Sequence, residues 1–206
     1  MDLTFFLKSF IALFTIIDPI GGAPFFLSIT ADYDETERKK IALRASMTVF
    51  IILSLFLFFG GSLLSILNIS LPSFKIAGGI LLFLTAFEML LGKVRSAKTT
   101  PEEEKRVQER EDVSVVPLGI PYLAGPGAIT TVIILSENKT LEEKFLIFLS
   151  LCLVSVTTYL ILSNSSKIFK FFGELGTKAV VRLLGLILAS IAVEYISHGI
   201  KAYFNH

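Results

Sequence analysis

Residues 14–30, FTIIDPIGGAPFFLSIT, and residues 121–137, PYLAGPGAITTVIILSE, carry the reading on which the fold turns. Each is an apolar stretch with a proline and glycine cluster at its centre, and Pro19 and Pro126 stand 107 positions apart. The correspondence continues. Glu35 falls opposite Glu142 at the same offset, and GGILLFLTAFEML (78–90) falls opposite LGLILASIAVEYI (184–196) at an offset of 106. The chain reads as one unit used twice. If each unit holds three membrane spans, an odd number, the second enters from the opposite side and the repeats are inverted. Inverted repeats whose first helices break near mid-membrane are the arrangement expected of a secondary transporter.

Of the 206 residues, 53% are hydrophobic and 19 are Phe, with a mean hydropathy of +0.73. That is more apolar surface than a soluble core of this size hides, so the expected solvent is lipid. The expectation is an all-α membrane protein with six spans, at 5–30, 45–67, 72–92, 115–136, 144–163 and 180–199. Each is close to the ~20 apolar residues a bilayer needs. The two repeats then cover 1–92 and 114–206. Between them, 93–113 mixes six basic residues with Glu102, Glu103, Glu104, Glu109, Glu111 and Asp112, and reads as a solvated linker. The opening MDLTFFLKSF has no basic start and no cleavage site before the Pro/Gly cluster, which reads as a retained first span. Cys152 is the sole cysteine, which excludes an intrachain disulfide and a cysteine-based metal site.

Fourteen of the 19 Lys and Arg residues fall in the loops between spans 1–2, 3–4 and 5–6, and five on the other side. By the positive-inside rule those loops face the cytoplasm, so both termini face outward and the chain spans the cytoplasmic membrane. The net charge of +1 gives no reason to expect nucleic-acid binding.

In Asp18-Pro19-Ile20-Gly21-Gly22-Ala23-Pro24 both prolines lack an amide donor and crowd the carbonyl four residues back, and the glycines weaken helix further. Asp18 and Gly125 fall near the middles of spans 1 and 4, at the depth of a transporter's binding site. An unwound segment there must be covered by protein or line a polar cavity. The amides of Gly21, Gly22 and Ala23, and of Gly127 and Ala128, would start the second half-helices, whose positive ends favour a carboxylate. A proline kink repaired by a neighbouring helix is the competing reading of either cluster.

The strings DPIGGAPFFLSIT and IPYLAGPGAITTVIILS resemble the paired signatures of the MarC family of integral membrane proteins, related to the LysE-type amino-acid exporters. The likeness covers essentially the whole chain. It implies transport of small neutral amino acids such as glycine and alanine. No cofactor is expected, and coupling to protons or sodium is left open. The family's first motif often reads D-P-x-G-N-x-P, and this chain has Gly22 where Asn is common. Any contact made by that side chain in relatives is missing here.

Asp18 is the one carboxylate expected near the bilayer centre, where a charge costs about 2.5 to 3.5 kcal/mol on insertion scales. It binds a substrate ammonium or coupling cation, or caps the half-helix that starts at Pro19, and the two roles are compatible. Glu88 and Glu194 occupy matching positions in spans 3 and 6, and Glu194 has His198 one turn on. They are candidates for a gate or proton relay, against the plainer role of charges near helix ends that snorkel or pair with a loop base. Thr130 and Thr131 follow the second cluster, and Ser155, Thr158 and Tyr159 share a side of span 5. They line a polar cavity or serve tight helix packing. Two histidines and one cysteine leave no metal cluster or Cys/His dyad, and no phosphate-binding glycine loop is present. The expected partners are small neutral amino acids and membrane lipids, with an oligomer compatible with the sequence. A channel for small polar solutes and an intramembrane enzyme are the alternatives, the second disfavoured because no nucleophile stands at a recognisable spacing from a base.

Overall fold

The computed structural model describes residues 2–92, 118–119 and 123–204. The linker expected at 93–113 lies outside these residues, as does most of 115–122. Among the described residues the chain is helical, without strands: α1 (Leu3–Ile17), α2 (Pro19–Ile29), α3 (Glu35–Ile66), α4 (Leu71–Leu90), α5 (Pro126–Ser136), α6 (Leu141–Ser163) and α7 (Ser165–Phe204). Leu3–Ile29 taken together, α3, α4, α6 and α7 are long and apolar enough to cross a membrane, and α5 is a shorter apolar helix.

Helix starts follow local chemistry. Asp34 and Glu37 form a reciprocal capping box at α3, and Thr140 and Glu143 form another at α6. Asn68 and Asn138, both at φ 52°, each stand two residues ahead of the next N-cap, in the left-handed region that asparagine tolerates. These caps lengthen helices beyond the expected spans. α3 begins at Glu35 rather than near 45, and its 32 residues reach ~48 Å, well past a ~30 Å hydrocarbon core. α7 begins at Ser165 rather than near 180, and Gly173, at φ 65° and ψ 179°, interrupts it. Arg38 closes the end of α2, its Nε and Nη2 donating to the carbonyls of Thr30 (2.8 Å) and Ala31 (2.9 Å).

The principal contacts join a helix of residues 3–90 to one of residues 126–204: α4 with α7 most extensively, then α3 with α6 and α1 with α6. Glycines set the α4–α7 distance. A Cβ at Gly79 would lie 2.9 Å from the Ala192 carbonyl oxygen and 3.2 Å from the Ile196 nitrogen; one at Gly185 would lie 3.2 Å from both the Ala86 oxygen and the Leu90 nitrogen. Adding 106 to the number of each first-half residue interchanges the two contacts. Such backbone approach is how small residues hold membrane helices together. The α1–α2 segment is the most enclosed of the spanning segments, whereas Phe59 (65% exposed) and Leu183 (66%) stand outward, as does Cys152. An outer surface of this kind is stable only against lipid.

Candidate functional site

Asp18 ends α1 and begins α2. It sits at φ 46° and ψ 61°, is 5% exposed, and its amide donates to the Phe14 carbonyl at 2.9 Å. Its carboxylate Oδ1 accepts the Gly21 amide at 3.0 Å, and its carbonyl accepts the Gly22 amide at 2.9 Å. Pro19 has no N–H, so the Thr15 carbonyl loses the amide a continuous helix would offer it. Gly21 is glycine for a steric reason, since a Cβ there would run into the Asp18 carboxylate. Pro19, Gly21, Gly22 and Ala23 are all buried.

The second cluster is built differently. Gly125 is an extended N-cap without a side chain, and the Ala128 and Ile129 amides donate to its carbonyl at 3.0 and 3.2 Å. Pro126 has no amide, so the Gly127 amide is the one in this turn without an acceptor among the described residues. A Cβ at Gly127 would lie 2.9 Å from Ile16 Cδ1 and 3.1 Å from Leu82 Cδ2. The tertiary fold therefore packs the start of α5 against Ile16 of α1 and Leu82 of α4. Asp18 and Gly127 are thus both buried, the first a carboxylate at the end of α1, the second a helix-start amide on the neighbouring α5.

The other expected site residues divide. Gly125, Gly127 and Ala128 are buried here with Asp18. The Gly21 and Gly22 amides, expected to meet a ligand carboxylate, are taken by Asp18 itself, because the left-handed turn folds both its carboxylate and its carbonyl over the start of α2. Thr131 is buried, but its hydroxyl donates to the Gly127 carbonyl at 2.9 Å, and Thr130 presents its methyl to Gly78. Both pack helices. Glu88 is exposed on α4, and Glu194 pairs with His198 at 3.1 Å with side chains 63% and 57% exposed, so neither is brought to Asp18. At one end of the bundle Lys75 of α4 bridges to Glu137, the C-cap of α5, at 3.5 Å. No group of three potential metal ligands occurs among the described residues.

Sequence reasoning passed over Thr15 and Ser46. Both are buried, and neither hydroxyl has a partner among the described residues. A buried serine or threonine in an apolar helix looks like ordinary packing until its hydroxyl is found not to bond its own helix.

Long apolar helices, charged residues confined to helix ends and the outer surface, and a buried carboxylate at a helix junction define a polytopic helical membrane protein. The family model described as "MarC family integral membrane protein" matches residues 3–204. The chain belongs to the MarC family. It is 36% identical over 202 residues to a UPF0056 membrane protein of Aquifex aeolicus, covering 98% of this chain and 94% of that one. A UPF0056 membrane protein of Methanocaldococcus jannaschii is 37% identical, with 98% of each chain covered. One from Bacillus subtilis is 36% identical, over 99% of this chain and 98% of its own. No solved structure matches.

Proposed function

We propose that this MarC family protein is a secondary transporter of small neutral amino acids, working by alternating access between two inverted repeats, 1–92 and 114–206, joined by a cytoplasmic linker. The observation that supports the reading is a buried carboxylate, Asp18, on a helix packed against α5, whose Gly127 amide has no acceptor among the described residues. The Asp18 carboxylate takes the substrate ammonium, and the uncommitted Gly127 amide, at the positive end of α5, takes its carboxylate. Further support for inverted repeats is the interchange of the Gly79 and Gly185 contacts across α4 and α7. Break and binding site then coincide because a helix start frees the amides that a zwitterion needs.

The small residues set substrate size. Gly21, Gly22, Ala23, Gly127 and Ala128 are buried and supply no second charge, so the site takes a hydrogen, methyl or hydroxymethyl side chain. Proteoliposomes containing the protein are expected to accumulate labelled alanine and glycine, with serine competing and lysine and glutamate not. Runs with imposed sodium and pH gradients identify the driving ion. Equal competition by charged amino acids would show that the site is elsewhere, and flux without saturable counterflow would mark a channel.

Orientation is part of the proposal: both termini outside and the 93–113 linker in the cytoplasm. Cysteine labelling in intact cells is expected to reach a residue added at either terminus and miss one in the linker. The reverse pattern overturns the orientation.

A further inference from the structure

The bundle has two seams with different construction. Between α4 and α7, backbone meets backbone at Gly79 and Gly185. Between α3 and α6, the contact is made by rings: Phe148 lies 5.3 Å from Phe50 and 6.1 Å from Phe58, centroid to centroid. On α3, Ser46, Phe50, Ser54 and Phe58 recur every four residues, a ridge alternating hydroxyl and ring that turns about 40° per step from the buried Ser46 to the exposed Phe58. On α6, Ser155 lies two turns beyond Phe148 on the same face.

The hydroxyls of Ser46, Ser54 and Ser155 are buried and have no hydrogen-bond partner among the described residues. Ser46 is 3% exposed and Ser155 9%. Ser9 and Thr15 of α1 share this condition, whereas Thr131, Ser150 and Thr158 satisfy themselves by donating to a carbonyl one turn back. The three seam serines instead hold their hydroxyls away from their own helices, which is costly in a dry interface and not in a wet one.

Register sets two of them at one height. Phe148 is flanked by Phe50 and Phe58, so residue 148 is level with residue 54. Phe58 also borders Leu141 and Phe145 at the start of α6, so the helices run antiparallel. Eight residues along each helix bring Ser46 level with residue 156, within one helical rise, ~1.5 Å, of Ser155. At the Phe58 end of the seam an open cavity of about 620 Å³ is lined by Phe58, Phe145 and Leu146 together with Asp2, Glu142 and Glu143, the last paired with Lys139 at 2.8 Å.

We propose that the α3–α6 seam is the solute passage: an acidic vestibule at the Phe58 end, the Phe50, Phe58 and Phe148 rings as its closed gate, and Ser54, Ser46 and Ser155 as the polar lining that a small ammonium-bearing solute and its water meet once the rings part. The glycine-locked α4–α7 seam stays shut. Only the identity of the solute rests on the transporter reading.

The test uses single cysteines at Ser54, Ser46 and Ser155 in the full-length protein with Cys152→Ala, treated in liposomes with a cationic, membrane-impermeant methanethiosulfonate. All three are expected to react, with alanine changing the rate at Ser46 and Ser155 at least about threefold through occupancy of the passage. Reaction only with a neutral, membrane-permeant maleimide would mean a dry or lipid-filled seam and overturn the proposal. Reaction with the charged reagent that alanine leaves unchanged, in a protein without amino-acid uptake, supports the passage and removes the amino-acid reading. The double variant Ser46→Ala, Ser155→Ala separates lining from packing. Removing unpartnered buried hydroxyls leaves the melting temperature equal or higher, while uptake is expected to fall at least about fivefold. Unchanged uptake in that variant counts against the passage.

Discussion

Replacing Asp18 with asparagine is expected to give a protein of normal yield that transports alanine about ten- to a hundredfold more slowly. Asparagine keeps the size, tolerates the left-handed backbone at φ 46°, and accepts the Gly21 amide as the carboxylate does. What it lacks is charge. A charge-assisted hydrogen bond of ~1.5 to 3 kcal/mol to a substrate ammonium corresponds to that range of binding. Asp18→Ala is the contrasting variant: it forfeits the cap, worth ~1 kcal/mol, and strains the left-handed turn, so yield falls together with transport. Uptake per folded molecule, with yield followed by size-exclusion chromatography, separates the effects. Parental alanine transport by Asp18→Asn would make Asp18 a helix cap alone.

Gly79→Leu is expected to prevent accumulation of folded protein, and Gly185→Leu to do the same. At Gly79 the first added carbon already meets the Ala192 oxygen at 2.9 Å and Ile196 Cγ1 at 2.6 Å, and backbone cannot swing aside as a side chain does. Overpacking costs ~1 to 3 kcal/mol where a site can adjust. Here the most extensive helix pair must separate along its length, against a total stability of ~5 to 15 kcal/mol. Gly61→Ala, in the same bundle with nothing within 4 Å of the added carbon, is the control and leaves the melting temperature equal or raised. A monodisperse Gly79→Leu protein with parental melting temperature would show that α4 and α7 do not pack through these glycines.

What the sequence by itself determined rests on covalent facts and on composition. Runs of apolar residues longer than a soluble helix needs required lipid, and helices α2 and α5 begin at Pro19 and Pro126 because a proline without an amide belongs at a helix's first position. Asp18 as the buried carboxylate was legible for the same reason: a charge beside such a proline, deep in an apolar stretch, has few places to go. The tertiary structure decided which way side chains face. Helices apolar on nearly every side carry little amphipathic signal, so their rotation about their own axes is not written in periodicity. It is set by packing: Gly79 against Ala192, Thr130 against Gly78 and Phe148 between Phe50 and Phe58 turn the helices. That rotation sent Glu194 and His198 to the outer surface, while the local left-handed turn gave the Gly21 and Gly22 amides to Asp18. It also turned Ser155, legible as a candidate cavity residue, and Ser46, which its neighbours in sequence gave no sign of, inward and without a partner among the described residues.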